Sequence, residues 1–425
     1  MANSLYVSDP AGDVELLVKE RDYDGGVNRD GGRPIKRTAV IKVSSSRVRT
    51  YSNLLNPDAA HHIKREGGYL VIDGESIMAV RAWMDVFHGK SPRLEGVGIS
   101  EIWWAIHFGN KYLLRRKEGA ELNSEDDEDA LKPGKDMSLL SGWFMRYHDA
   151  HKSYFKDTDA KGKPMAFSAL APAYWFDCPK AFIEVTRYIA YNTAVQIENI
   201  NPTKYRDAYM RGVPNRVLAQ LSAARASQRT RLEKWLPTVS APCSGHKECL
   251  DVMDFSHKRS LLNTGIKSLF SLADRKRALD DLLDDLSDYE FTLAILGPGG
   301  DPDWSTKLCN NCVSCFRNTA DDLTEGVCEA SSRARRNFDG LCLDCMHKFK
   351  MGDDHSDYFA HDKPGNHDRN CRVRHKQPTW YFSYMGRKEL MLKHQDRRAQ
   401  EFRKRKGERD EELRRMGRAL PEGGK

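Results

Sequence analysis

The chain has 425 residues, 40% of them hydrophobic and 30% charged, a composition that suits two to four domains with buried cores. No apolar run approaches the ~20 residues that span a bilayer, and the start, MANSLYVSDP, lacks the features of a secretory signal. These features predict an intracellular protein of the cytoplasm or nucleus, without a membrane segment. The net charge of +7 does not by itself indicate nucleic-acid binding.

The first hundred residues predict a mixed arrangement of strands and helices. Apolar residues alternate at 13–18, 38–43 and 69–72, as in half-buried strands. A short helical segment lies between the second and third strands, and amphipathic helices are predicted at 77–87 and 99–114. The expected class is therefore α+β.

This region resembles the BTB/POZ family, and the resemblance rests on three segments in the family's order. IKVSSSRVRTYSNLL is similar to its strand-turn-helix element, FHGK to its aromatic-Thr-Gly helix ending, and GNKY to its Ala-Asp-Lys-Tyr helix. The positions that match in the first segment are Val43, Val48, Ser52 and Leu55. The resemblance implies a BTB/POZ-like domain over residues 12–116.

Two features depart from the family pattern. Ser44 stands where a His is common, and an insertion at 22–33 follows the first predicted strand. Only about twelve residues precede that strand, whereas family members that form swapped dimers usually carry an additional N-terminal strand and helix. A swapped dimer is therefore not expected, while a homodimer of another kind stays open.

The rest of the chain divides by composition into an acidic flexible loop (117–136), a mainly helical region (137–300), a Cys/His-rich module (301–387) and a charged basic tail (388–425). In the helical region, Asp177 is the predicted cap of one helix, Pro214 begins a second, and Leu279, Leu282, Leu283 and Leu286 form the apolar face of a third. Segments such as AYWFDCPKAF, GLCLDCMHK and CRVRHKQPTWYFSYMGR resemble those of a group of filamentous-fungal BTB-domain proteins.

Nine of the ten cysteines follow residue 240, and clustered cysteines in an intracellular chain indicate metal sites rather than disulfides. Two C-x-x-C pairs stand out, because this spacing aims two thiolates at one tetrahedral Zn²⁺. A structural zinc ion is therefore predicted to cross-link segments of the C-terminal half. Cys178 and Cys328 are predicted to be buried thiols without a metal.

The sequence leaves the pairing of the two C-x-x-C motifs open. Cys342 and Cys345 are assigned His361 and Cys371, although His347, His367 or His375 could replace one of these two ligands. The second predicted set consists of Cys309, Cys312, Cys243 and Cys249. The competing arrangement joins the two C-x-x-C pairs in a single four-cysteine site.

The function predicted from these features is that of a protein-interaction adaptor or scaffold. By resemblance, BTB domains recruit cullin-type ubiquitin-ligase scaffolds, transcriptional regulators or one another. The alternative is a nuclear regulator that contacts DNA through the Cys-rich module and the basic cluster 403–406. The sequence lacks a P-loop, a G-x-S-x-G motif, a dinucleotide-binding Gly-rich turn and the protein-kinase motifs, so a non-enzyme is expected.

Overall fold

The computed structural model describes the backbone of residues 4–22, 33–55, 64–112, 137–152, 166–194, 197, 212–237, 247–264, 277–291, 310–348 and 371–375. These residues form a five-stranded sheet and a larger helical part. The predicted α+β class is confirmed at this level.

The sheet consists of β1 (Ser4–Val7), β2 (Val14–Arg21), β3 (Ile35–Val43), β4 (Lys64–Glu66) and β5 (Tyr69–Asp73). Its order is β1-β3-β2-β5-β4. β1 pairs in parallel with β3 and β2 in parallel with β5, whereas the other two pairs are antiparallel. Leu16 and Val18 of β2 are fully buried, as the alternation predicts.

Two strands were not predicted from the sequence, β1 and the short β4. β1 begins at Ser4, so the expectation that the first strand starts near Asp13 was wrong. Neither strand is longer than four residues, which is too short to show a clear alternation. Each strand forms by pairing with a longer neighbour.

Three helices follow within the N-terminal part: α1 (Ser45–Tyr51), α2 (Ile77–Phe87) and α3 (Ile99–Tyr112). The Ser76 hydroxyl caps α2 by accepting a hydrogen bond from the Ala79 N–H. Gly89 ends the same helix with a positive φ of 71°. The strands and helices predicted at 69–72, 77–87 and 99–114 are confirmed to within a few residues.

The remaining elements are helical, as predicted for residues 137–300, whereas the two helices within the Cys/His-rich module (301–387) were not predicted. The remaining elements are α4 (Met137–Ala150), α5 (Ala166–Trp175), α6 (Pro179–Asn192), α7 (Asn215–Trp235), α8 (Lys247–Asn263), α9 (Leu279–Ser287), α10 (Asn310–Arg335) and α11 (Leu343–Lys348). The four leucines predicted on one face of α9 are fully buried. Within the described residues, no helix combines the length and apolar character that crossing a bilayer requires.

The predicted role of Asp177 as a helix cap was wrong. Cys178 occupies the N-cap position of α6, and Pro179 is its first helical residue. Asp177 lies one residue earlier with φ at 52°, in the left-handed conformation that turns the chain from α5 into α6. Its carboxylate is therefore directed to another partner, described below.

One hydrophobic core runs from the sheet into the helical part and includes residues from Leu16 to Met346. Helix α2 packs against α4, and α3 packs against α5. The indole N–H of Trp103 on α3 donates to the Ser168 carbonyl on α5 over 2.8 Å. The two parts of the described chain thus share buried surface.

Candidate metal centre

The C-x-x-C pair Cys342/Cys345 lies where α11 begins, against helix α6. Cys342 and Cys345 are both fully buried, and their side chains pack on Ile183. The Leu341 N–H donates to the Thr186 hydroxyl over 2.8 Å, and the Met346 N–H donates to the Cys342 carbonyl over 3.0 Å. These bonds hold the start of α11 in place, so that both thiols lie against helix α6.

Gly340 allows this segment to approach α6 closely. Its φ is 112°, a region that L side chains rarely adopt. A Cβ atom placed there would lie 2.1 Å from the Ile183 carbonyl oxygen. Glycine is therefore required by both the backbone conformation and the contact.

The other two candidate ligands come from residues 371–375. Burial alternates along this short segment: Cys371, Val373 and His375 face inwards, whereas Arg372 and Arg374 are exposed. The Cys345 Sγ atom lies 3.5 Å from Cys371 Sγ and 3.5 Å from His375 Nε2. The chain thus returns to the C-x-x-C pair and adds one sulfur and one nitrogen.

The ligand atoms of Cys342, Cys345, Cys371 and His375 all lie within 4.8 Å of one another. In a tetrahedral site with metal–sulfur distances of ~2.3 Å and metal–nitrogen distances of ~2.0 Å, neighbouring ligand atoms are about 3.5–3.8 Å apart. The two 3.5 Å separations are close to this edge length. The cluster could therefore hold a metal ion with four protein ligands.

The electrostatics of the three thiols also suit a bound cation. A hydrogen bond from Cys345 lowers the pKa of the Cys342 thiol and outweighs the opposing effect of burial. Burial raises the pKa of Cys371, and the neighbouring Cys342 thiolate raises it further. One thiolate is thus favoured, while like charge opposes the next. A divalent cation would offset this repulsion and favour the thiolate form that binds metals.

Three residues of the predicted ligand set come together: Cys342, Cys345 and Cys371. The fourth member is His375, which the sequence left as an alternative to His361. His361 lies outside the described residues, as does His367, and the side chain of His347 is not described. The sequence pattern that could have identified His375 is the alternation of Cys371, Val373 and His375 with Arg372 and Arg374, which places Cys371 and His375 on the same face of an extended segment.

The second predicted site is not tested by the described residues. Cys243 and Cys309 lie outside them, and only the backbones of Cys249 on α8 and Cys312 on α10 are described. Because Cys371 and His375 complete a set of four, a tetrahedral ion at Cys342 and Cys345 leaves no position for Cys309 and Cys312. This argues against the single four-cysteine site and leaves the second site a prediction.

The two thiols predicted to be metal-free differ in their surroundings. Cys178 is fully buried beside Ser141, and burial raises the pKa of its thiol to about 12. Cys328 on α10 is only partly buried. The burial predicted for Cys178 is confirmed, whereas the burial predicted for Cys328 is only partial.

A bridge of charged groups lies beside the cluster. The Arg372 guanidinium contacts Asp344 at 2.7 Å and Asp177 at 2.6 Å. Asp344 lies between Cys342 and Cys345, and Arg372 follows Cys371 directly. The ligand segments are therefore joined by an ion pair as well as by the sulfur cluster.

Comparison of the chain with protein-family models, with curated proteins and with solved structures finds no match. The resemblance of residues 12–116 to the BTB/POZ family therefore stays a prediction. The basic tail at 388–425 lies outside the described residues, so the DNA-binding alternative stays a prediction as well.

Proposed function

We propose that this chain is a protein-interaction adaptor, in which the N-terminal α+β part binds a partner and a structural zinc ion holds residues 371–375 on the helical part. The proposal takes a BTB/POZ-like role for the sheet and helices α1 to α3. The partners that this role implies are cullin-type scaffolds or transcriptional regulators.

The observation that carries the adaptor role is the exposed apolar edge of the sheet. β1 is one of the two edge strands, the other being β4, and its Leu5 and Val7 side chains are 65% and 46% exposed. Tyr6, between them, is partly buried against the core and lies beneath the Arg81 guanidinium. Exposed edge strands bind partner chains through backbone hydrogen bonds, and alternate side chains provide specificity.

The chemistry of the Cys/His cluster supports zinc as the ion. Three thiolates and one imidazole form a tetrahedral donor set that binds Zn²⁺ in preference to harder cations. Four protein ligands leave no coordination position for a substrate, which favours a structural role. The ion would join residues 371–375 to helix α11 and thereby to α6.

Elemental analysis of the purified full chain tests the zinc proposal. We expect at least one zinc per chain, and we expect Cys342→Ser to lose one equivalent because it removes a ligand. Cys178→Ser is the matched control, since this buried thiol lies outside the cluster, and it should keep the full zinc content. A wild-type chain without zinc would overturn the proposal, and loss of a second equivalent in Cys243→Ser would identify a second site.

Binding of the immobilised full chain to a cullin-type scaffold tests the adaptor role. Leu5→Asp combined with Val7→Asp should weaken binding at least about ten-fold, because burying two apolar side chains in an interface contributes at least ~1.4 kcal/mol. The control combines Phe255→Asp with Leu262→Asp, which alters two exposed apolar residues of α8 (56% and 51% exposed) and should leave binding unchanged. Equal loss in both variants, or no binding by the wild type, would contradict this partner class.

A further inference from the structure

Arg372 makes more contacts with the metal-binding segments than its exposed position suggests. Its Nε and Nη2 atoms donate to one oxygen of Asp344 over 2.8 and 2.7 Å, and its backbone N–H donates to the other oxygen over 2.7 Å. Its Nη1 and Nη2 atoms donate to the two oxygens of Asp177 over 2.6 and 2.7 Å. One planar guanidinium thus connects two carboxylates with fixed directions.

The two carboxylates belong to different parts of the fold. Asp344 lies between Cys342 and Cys345, so its position is tied to the first two ligands. Asp177 is not one of the four candidate ligands and lies at the turn between α5 and α6. This turn is held independently, since the Cys178 N–H donates to the Ala173 carbonyl over 2.9 Å.

The alternation of burial in residues 371–375 links Arg372 to the ligands on either side of it. Because Arg372 faces outwards, Cys371 and Val373 face inwards, and His375 follows on the same side. Cys371 is 26 residues from Cys345 along the chain, so bringing it back restricts a long loop. The ion pairs of Arg372 can form before the metal binds. They then reduce the entropy cost of loop closure that metal binding has to offset.

The geometry points to Arg372 as a positioning residue for the metal centre, which Asp177 and Asp344 hold so that Cys371 and His375 face the C-x-x-C pair. This inference rests on the proposed zinc site and adds that zinc affinity depends on Asp177, a residue remote from the ligands in sequence. By reciprocity, zinc binding strengthens the contact between residues 371–375 and the α5–α6 turn.

Competition of the metal-free full chain with a chromophoric chelator for Zn²⁺ tests the inference. Arg372→Gln and Asp177→Asn should each weaken zinc affinity about ten-fold, the lower end of the range for residues that support ligands. Asparagine tolerates the left-handed conformation at 177, so the turn itself is retained. Arg372→Lys keeps the charge but lacks the two-sided fork and should lose nearly as much as Arg372→Gln.

Two further measurements separate positioning from general stability. Combining Arg372→Gln with Asp177→Asn should weaken affinity by no more than about two-fold beyond either single change, because both remove the same contact. Arg374→Gln, two residues away and also exposed, should leave affinity unchanged. The Co²⁺-substituted variants should show altered sulfur-to-metal charge-transfer absorption, whereas Arg374→Gln should match the wild type.

The outcomes distinguish this inference from the zinc proposal itself. If the wild type binds no zinc, both are wrong. If the wild type binds zinc and Cys371→Ser abolishes this, while Arg372→Gln and Asp177→Asn bind as tightly as the wild type, the zinc proposal stands and the positioning role is wrong. A lower unfolding midpoint with unchanged zinc affinity would likewise overturn it.

Discussion

Gly340 and Glu75 illustrate how single residues determine the packing of this chain in two different ways. Gly340 provides space and backbone freedom where the C-x-x-C segment meets the Ile183 carbonyl. Glu75 is a buried carboxylate, 1% exposed, whose Oε1 atom accepts a hydrogen bond from the Lys111 ammonium over 2.7 Å. His107 Nε2 lies 3.6 Å from its other oxygen. These contacts join the β5–α2 turn to α3.

Gly340→Ala should destabilise the fold by about 2–4 kcal/mol, because it adds left-handed strain to an overpacked contact. Gly68→Ala is the control, since Gly68 has φ at 91° but a Cβ atom placed there would meet nothing within 4 Å, and it should cost only about 1–2 kcal/mol. Chemical denaturation of both variants measures the difference. Equal losses would show that the contact with Ile183 is unimportant.

Glu75→Gln should reduce stability by roughly 2–3 kcal/mol at neutral pH, because it leaves Lys111 without its buried partner. Burial raises the pKa of Glu75, but the facing His107 and the Lys111 charge outweigh it and hold the pKa below 4.5. The folded pKa is thus lowered, so the stabilisation is complete above about pH 4.5 and is lost as pH falls through the folded pKa.

The difference in free energy of unfolding between the wild type and Glu75→Gln should therefore shrink below about pH 4.5. Using the difference removes the contribution of other acid-sensitive groups, including those of the candidate metal centre. Glu95→Gln, at an exposed position, should differ little from the wild type at every pH. A difference that stays constant down to about pH 3 would contradict the lowered pKa of Glu75.

Helix α6 packs against the candidate metal centre and has a buried polar side chain, Thr186, among its apolar residues. Phe182, Val185 and Ile189 of this helix are fully buried, as the period of the sequence predicts. Thr186 is also fully buried, and its hydroxyl donates to the Phe182 carbonyl while accepting the Leu341 N–H. The threonine therefore satisfies a backbone group of the segment that packs on it.

Thr186→Val should cost about 1–3 kcal/mol, because the isosteric change leaves the buried Leu341 N–H without an acceptor. Hydrogen exchange at the Leu341 amide should become faster than in the wild type. Thr186→Ser keeps the hydroxyl and should preserve slow exchange at this amide. Slow exchange in both variants would indicate that another group accepts the bond.

A shared core joins the N-terminal part of the described chain to its helical part. Besides the Trp103 bond to α5, the Trp143 indole of α4 donates to the Arg93 carbonyl over 3.0 Å, and Arg146 contacts Ser91. The N-terminal helices thus cover apolar surface on α4 and α5. Separating the two parts would expose this surface to water.

We expect the isolated fragment 1–116 to unfold at lower denaturant concentration than the full chain and to bind a hydrophobic dye. The cause is the exposure of the faces of α2 and α3 that α4 and α5 cover. A fragment ending at 152, which retains α4, should be intermediate. A fragment 1–116 that is fully stable and binds no dye would instead support the domain boundary predicted from the sequence.

The sequence by itself determined the features that depend on local period and spacing. Strands β2, β3 and β5, helices α2, α3 and α9, and the pairing of Cys342 with Cys345 follow from patterns within about twenty residues. The tertiary structure decided β1 and β4, the position of His375 beside the three cysteines, the contact of Arg372 with Asp177 and the shared core. These depend on residues up to 195 positions apart, and their contacts form only when distant segments pack together. No local pattern encodes that packing.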